Sequence, residues 1–376
     1  MIQVSGPQAL SILDRLFESP RGTRLRDTSS GRLTYGRLRR AGEFLDEVVV
    51  DCVESGPCQV LNINCHGGTM AARRVMDALE AEGARPAAWR DMLARRPGLD
   101  RIMAEAAEAI PGAFTLLAVR VLLDQHHGAL SDVVRDIARR LPSENESGAA
   151  QDRLAELLAT APFGRGLIEP ARVVLAGRPN VGKSTLANAL LRFERMIVHT
   201  TPGTTRDAIE EIVSIRSVPF RLVDTAGLRE ATGEIEREGV DRARKHLREA
   251  AVRVVVLDGS MPLQPEDMDL LREGAAQPLV PVLNKCDLPR KASAEAVAET
   301  TGQDPVVVSA ERGDGLAELE RRIVEARYPE RPAQGAAVVF TERQERHLRT
   351  AQEAAGTGDT DGAVRCLDLA LGTATA

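Results

Sequence analysis

Gly177-Arg178-Pro179-Asn180-Val181-Gly182-Lys183-Ser184-Thr185 follows an apolar run, Arg172 to Ala176, and leads into a helix-forming segment, Ser184 to Leu191. This order of strand, glycine loop and helix constrains the fold more than any other feature of the chain. Backbone N–H groups of such a loop converge at a helix N-terminus, where they cradle phosphate oxygens. Lys183 then reaches β and γ phosphates, and the Ser184 hydroxyl reaches a Mg²⁺ ion. A glycine-rich turn can also be no more than a tight connection. The rest of the chain decides between the two.

Asp224-Thr225-Ala226-Gly227 comes directly after the apolar strand Phe220 to Val223. There the Asp224 carboxylate can hold the Mg²⁺ shell and the Gly227 N–H can face a γ-phosphate. Asn284-Lys285-Cys286-Asp287 follows another buried run, Leu279 to Leu283. The Asp287 carboxylate can accept from N1–H and the N2 amino group of guanine, a pair of donors that adenine lacks. A buried carboxylate left unpaired by the wrong base discriminates strongly, so the motif selects GTP over ATP. Ser309-Ala310-Glu311 follows Val306 to Val308 and would place a backbone N–H near guanine O6. The GTP-contacting set is therefore Gly177, Asn180, Val181, Gly182, Lys183, Ser184, Thr185, Asp224, Thr225, Ala226, Gly227, Asn284, Lys285, Asp287, Ser309, Ala310 and Glu311.

Residues 171 to 328 resemble a GTP-binding domain of the Era/TrmE type, and the closer resemblance is to the MnmE (TrmE) family of tRNA modification GTPases. It is carried by Ile197-Val198-His199-Thr200-Thr201-Pro202-Gly203-Thr204-Thr205-Arg206-Asp207, then Asp224 to Glu230, then Glu234-Ile235-Glu236. Many GTPases orient the attacking water with a glutamine after the switch glycine. Here Leu228 occupies that position, and leucine cannot hold a water. In the family a potassium ion takes the place of an arginine finger, and a downstream glutamate positions the water. The resemblance implies Asn180, His199, Thr201 and Thr204 as K⁺ ligands, and Ser184, Thr205 and Asp224 as Mg²⁺ ligands. It also implies Glu236 as the water-orienting residue, with Lys183 and Thr205 completing the catalytic set. Glu236 also lies in the first turn of a charged helical segment, Glu234 to Arg244, where a glutamate would complement the helix dipole. Both readings stand on sequence alone. The family further implies a homodimer formed through the GTP-binding domains.

The 376 residues suggest two or three domains, and 43% apolar with 28% charged residues is ordinary for a globular chain. No segment approaches the roughly 20 consecutive apolar residues of a membrane span, and the first residues lack the basic and apolar regions of a signal peptide. A cytoplasmic location without membrane partners is expected. Five cysteines without paired C-x-x-C spacing argue against both a disulfide framework and a zinc site. A net charge of −6 argues against a chain that coats nucleic acid. The arginines at 73–74, 90–101 and 135–140 read as solvated helix faces. With 3% aromatic residues there are few base-stacking platforms, so RNA contact rests on the resemblance.

The expected architecture is an α/β GTP-binding domain with a phosphate loop (169–330). Its mixed, mostly parallel sheet carries helices on both faces. It is inserted in a helical domain (86–168 and 331–376), and a small α/β N-terminal domain (1–85) precedes both. Within the helical part, Ala113 to Leu141 reads as helical, with apolar residues near three- and four-residue spacing, 143–148 reads as an exposed loop, and Pro162 to Pro170 reads as a Gly/Pro connection. In the N-terminal part His66-Gly67-Gly68 reads as a strand-to-helix turn. The resemblance implies a one-carbon folate site there, but its charged contact positions are Gln3 and Asn62 in this chain. Losing charged partners weakens binding of an anionic cofactor. The family's C-terminal Cys-x-Gly-Lys is absent, and Cys366 has no Gly-Lys after it.

The function expected is a K⁺-assisted, Mg²⁺-dependent GTPase linked to tRNA wobble-uridine modification, meeting tRNA or a modification partner. Two alternatives stay open. One is a diverged switch in ribosome or RNA assembly without modification chemistry. The other is a GTP-bound scaffold that does not hydrolyse its nucleotide.

Overall fold

The computed structural model describes residues 1–20, 22, 24–27, 31–54, 59–94, 98–193, 210–224, 249–273 and 277–373. The chain divides into two compact units, Met1–Leu99 and Asp100–Ala376. Among the described residues no helix is long and apolar enough to cross a membrane.

The first unit is built on strands β1 (Ile2–Gly6), β2 (Phe17–Glu18), β3 (Leu33–Arg40), β4 (Glu43–Glu54) and β5 (Gln59–Asn64). They form an antiparallel sheet in the order β1-β5-β4-β3-β2. Strand alternation turns Asp46, Val48 and Val50 of β4 inward. Helix α1 (Ala9–Leu16) covers that face with Ile12, Leu13 and Leu16, and α2 (Thr69–Ala81) with Val75, Ala78 and Leu79. A short helix, α3 (Trp89–Ala94), follows. His66-Gly67-Gly68 lies in the turn between β5 and α2, as its composition predicts, with Gly68 at φ +125°.

The second unit opens with α4 (Arg101–Ala109), α5 (Leu116–His126), α6 (Ala129–Arg140), α7 (Ser147–Ala159) and α8 (Ala161–Ile168). Asp100 caps α4 by accepting from Met103 N at 2.9 Å, and Thr115 caps α5 by accepting from Ala118 N at 3.2 Å. Three expectations are corrected here. The apolar spacing over 113–141 is broken between α5 and α6, because Gly128 takes the left-handed conformation (φ +103°) that ends one helix and starts the next. The segment 143–148 is shorter as a loop than its composition suggests, since α7 starts at Ser147. Most of the predicted Gly/Pro connection is helix α8. Pro162 sits in its first turn, where a missing N–H costs nothing. Gly164 and Gly166 serve packing: a Cβ on Gly164 would overlap the Val339 carbonyl, and one on Gly166 would overlap the Tyr328 hydroxyl.

Beyond α8 lies a sheet of β6 (Ala171–Ala176), β7 (Glu210–Ile215), β8 (Val218–Asp224), β9 (Val252–Asp258), β10 (Leu279–Asn284) and β11 (Val306–Val307). Its order is β11-β10-β9-β6-β8-β7, parallel except for the β7–β8 hairpin. Helix α9 (Lys183–Phe193) follows the glycine loop. Alternate residues of each central strand face opposite layers. Val254 and Val256 join the layer of α9 and helix Leu316–Arg327, whereas Val255 and Leu257 join that of helices Pro265–Arg272 and Ala294–Thr301. Strands buried on both sides read as continuous apolar runs, and each buried Val or Leu contributes about 1.5–3 kcal/mol.

Helices Glu342–Gly356 and Thr360–Leu371 return to α4–α7. Leu122, Val134 and Ile137 share one core with Phe340, Leu348 and Leu367. The helices before and after the sheet thus make a single bundle. Glu105 of α4, 7% exposed, pins its two halves together. It accepts from Arg343 Nε and Nη2 and from Gln344 Nε2 at 2.8 Å.

Candidate nucleotide-binding site

Parallel strands bring their C-terminal ends to one edge of the sheet. The connections run to opposite sides of β6, so a crevice opens at that edge between the ends of β6 and β9. The glycine loop leaves β6 at this crevice. Gly177 has φ +154° and Gly182 φ +95°, and a Cβ on either would strike the Val256 carbonyl or the Asn284 side chain. Non-glycine Asn180 is also left-handed, at φ +64°. The loop is thereby wound tightly against the end of β9 and the side chain of Asn284.

Lys183, 6% exposed, starts α9 and folds back over the loop. Its Nζ donates to the carbonyls of Gly177 at 3.0 Å and Arg178 at 2.8 Å. Ser184 and Thr185 are exposed in the first turn of the helix, and Val181 is buried beneath the loop. Arg178 ties the loop to the neighbouring helix through Asp267, which is 1% exposed, with Nε 2.8 Å from Oδ1. The Asp267 carboxylate beside it raises the Arg178 pKa above its ordinary value.

Asn284 closes the end of β10. Its Nδ2 donates to the Val181 carbonyl at 2.9 Å and its Oδ1 accepts from Ala310 N at 3.0 Å. One buried side chain so joins the glycine loop, the β10 loop and the β11 loop. Lys285, at φ +65°, reaches across the crevice and donates from Nζ to the Asn180 carbonyl at 2.8 Å and to Asp258 Oδ2 at 2.7 Å. Asp287 accepts from Ser309 Oγ at 2.7 Å. That hydrogen bond is the chief cause that holds the Asp287 carboxyl below its ordinary pKa, so it stands ionised. Ser309 is fully buried, Ala310 nearly so, and Glu311 is exposed on the turn that follows.

Asp224 ends β8 level with Leu175, which places its backbone beside the start of the glycine loop. His199, Thr201, Thr204, Thr205, Thr225, Ala226, Gly227, Leu228 and Glu236 lie outside the described residues. The structure brings together the other predicted residues from β6, β10 and β11. It adds Arg178, Asp258 and Asp267, which are outside the predicted contacting set. Asp258 had a readable signal: Val254 to Leu257 is an apolar run ending in Asp-Gly-Ser, the same strand-then-turn pattern as the other motifs.

In the first unit, the two positions expected at a folate site face each other across β1 and β5. Gln3 Nε2 donates to Asn62 Oδ1 at 2.9 Å. His66 meets Asp46, whose Oδ1 lies 2.6 Å from the ring Nδ1 and whose Oδ2 accepts from His66 N at 2.8 Å.

Residues 1–91 match the family described as "GTP-binding protein TrmE N-terminus", and residues 172–285 match that described as "50S ribosome-binding GTPase". Curated relatives carry the name tRNA modification GTPase MnmE. That of Geobacillus kaustophilus is 36% identical over 360 residues, spanning 86% of this chain and 78% of the relative. That of Geobacter sulfurreducens is 37% identical over 356 residues, spanning 86% and 77%. That of Alkaliphilus metalliredigens is 33% identical over 394 residues, spanning 95% and 85%.

Proposed function

This chain belongs to the MnmE family of tRNA modification GTPases, and we infer that its second unit binds GTP with guanine selected by Asp287 and hydrolyses it with the help of Mg²⁺ and K⁺. The observation that carries this reading is the bridge from Val181 through Asn284 to Ala310, which gathers phosphate loop and base loops into one site. The tight winding of the loop at Gly177 and Gly182, ahead of a helix N-terminus, suits a phosphate cradle. Asp287, ionised and backed by Ser309, suits the two donors on guanine.

Hydrolysis is in-line attack of water on the γ-phosphate, a reaction governed by positioning and charge stabilisation. Lys183 exchanges its two loop carbonyls for β and γ phosphate oxygens, which are stronger, charged acceptors. Ser184, Thr205 and Asp224 would hold Mg²⁺, while Asn180, His199, Thr201 and Thr204 would hold K⁺. Both ions supply positive charge against the phosphates. Glu236 orients the water in place of the glutamine that Leu228 replaces. Pairing of two copies through the GTP-binding domains, contact with tRNA or a modification partner and a cytoplasmic site of action complete the proposal. Turnover measured in KCl and in NaCl tests it. Stimulation by KCl, with loss of turnover in Glu236→Ala, is expected; equal rates in both salts and an active Glu236→Ala would sink the ion-assisted mechanism.

The Gln3–Asn62 hydrogen bond favours a second reading for the first unit. Two neutral side chains that satisfy each other offer little to an anionic folate tail. On that reading the chain keeps its GTP cycle without binding a one-carbon folate. Calorimetric titration with a formylated tetrahydrofolate decides: heat of saturable binding rejects it.

A further inference from the structure

We propose that Asp258 is a positioning residue for the nucleotide site, acting through Lys285 to set the shape of the phosphate loop. Among the described strands, the end of β9 carries no recognised nucleotide motif, yet β9 lies beside β6, at the edge of the crevice. Its last residue, Asp258, is held on both carboxylate oxygens. Oδ1 accepts from Ser260 N at 2.9 Å and Ser260 Oγ at 2.6 Å, and Oδ2 accepts from Lys285 Nζ at 2.7 Å. Lys285 spends a second N–H on the carbonyl of Asn180, at 2.8 Å.

The backbone around Asp258 is fixed as firmly as its side chain. Gly259 N donates to the Asn284 carbonyl at 2.8 Å, and a Cβ on Gly259 would come within 2.8 Å of that oxygen. The Gly259 carbonyl in turn accepts from Lys291 N at 2.9 Å. Asp258 is therefore an anchored anion, and the lysine it holds is an ammonium on a flexible four-carbon stem that would otherwise sample many rotamers. The target of that ammonium matters. Asn180 sits at φ +64°, in the left-handed region that asparagine tolerates better than most residues, and its carbonyl accepts from Lys285. Burial alone would raise the Asp258 pKa; the hydrogen bonds from Lys285 and Ser260 outweigh it and keep the carboxyl below its ordinary value. The Asp258 carboxylate is ionised at neutral pH.

The inference rests on the nucleotide-binding reading, and GDP binding by the unaltered protein tests that reading first. Release of a fluorescent GDP analogue is then followed for Asp258→Asn, Lys285→Met and the double variant. Asp258→Asn removes a charge-assisted hydrogen bond and is expected to speed release roughly ten-fold. The double variant is expected to release no faster than Lys285→Met alone, because Asp258 works only through the lysine. Additive losses in the double variant, or wild-type release from Asp258→Asn, would overturn the proposal. Should Asp258→Asn fail to fold, Ser260→Ala loosens the carboxylate without removing it. A several-fold faster release there, abolished in the Lys285→Met background, is the expected result, and unchanged release overturns the proposal. Thermal midpoints of the nucleotide-free proteins separate positioning from general destabilisation: they are expected to stay together while release rates part.

Discussion

Asn284 donates its side-chain amide to the carbonyl of Val181 across 2.9 Å, while the other end of the same amide accepts from Ala310. A residue conspicuous in sequence as part of a base-reading motif is thus a strut between loops, and the proposed contact to the base falls to Asp287.

Asn284→Ala would leave the Val181 carbonyl and the Ala310 N–H without partners in a place that is 2% exposed. Each buried unsatisfied group costs about 1–3 kcal/mol, so a loss of roughly 3 kcal/mol in combined stability and nucleotide affinity is expected. Thermal melting with and without GDP measures how it divides. Unchanged melting together with unchanged GDP affinity would refute the strut.

Asp287→Asn changes the pattern offered to the base. A carboxylate accepts twice, whereas a carboxamide accepts once and donates once. Guanine presents two donors there; xanthine presents a donor and a carbonyl. Competition binding should show GTP affinity falling at least ~100-fold, with xanthosine triphosphate retained or improved. Retained GTP preference would place guanine recognition elsewhere.

The strand ends of this site were legible because doubly buried parallel strands have an unambiguous signature, and the glycine loop, Asp224, Asn284 and Ser309 all follow such runs. What escaped has physical reasons. Asp258 ends an equally plain run, but its work is done through another side chain, so no phosphate or base motif contains it. Helix α8 escaped because glycines and proline signal turns, whereas Gly164 and Gly166 are small so that Val339 and Tyr328 can approach. Gly128, by contrast, does end a helix: it takes φ +103° and has no neighbour that a Cβ would overlap.

That difference among glycines is testable. Gly166→Ala drives a methyl into the Tyr328 hydroxyl, in a core where Phe163 and Phe220 also hold the tyrosine ring. Overpacking of this kind costs about 1–3 kcal/mol. Gly148→Ala, in α7 with open space around it, should gain up to about 1 kcal/mol from helix propensity. Opposite shifts in melting temperature are expected. A Gly166→Ala protein as stable as the parent would mean that α8 and Tyr328 do not pack as described.

The Glu105–Arg343 pair offers a test of the bundle. Arg343 also donates to the carbonyls of Leu369 and Ala370, at 3.0 and 2.8 Å, so the guanidinium holds the last helix as well. Glu105→Ala strands a partly buried cation and the Gln344 amide, at a cost of about 3 kcal/mol. Replacing both members with apolar residues, as in Glu105→Leu with Arg343→Met, should recover part of that loss. If the double variant is less stable than Glu105→Ala, the contacts of Arg343 to the last helix outweigh its pairing with Glu105.

Asp46, held by its contacts with His66, gives the first unit a pH-dependent contribution to stability. Strand alternation turns Asp46 inward beside Val48 and Val50, and burial alone would raise its pKa. Hydrogen bonds from the His66 N–H, the His66 ring and the Glu47 N–H outweigh burial and depress it below the ordinary value. A carboxyl with a depressed folded pKa contributes stability that is fully present above its unfolded pKa, and that contribution is lost as pH falls through the folded one. Asp46→Asn should therefore be less stable than the parent near neutrality, and the two stability curves should converge on acidification. Denaturant unfolding of the full chain, followed by a probe in the first unit across pH 2 to 7, measures the gap. A gap that stays constant with pH would show that Asp46 acts through shape and hydrogen bonding alone, not through its charge.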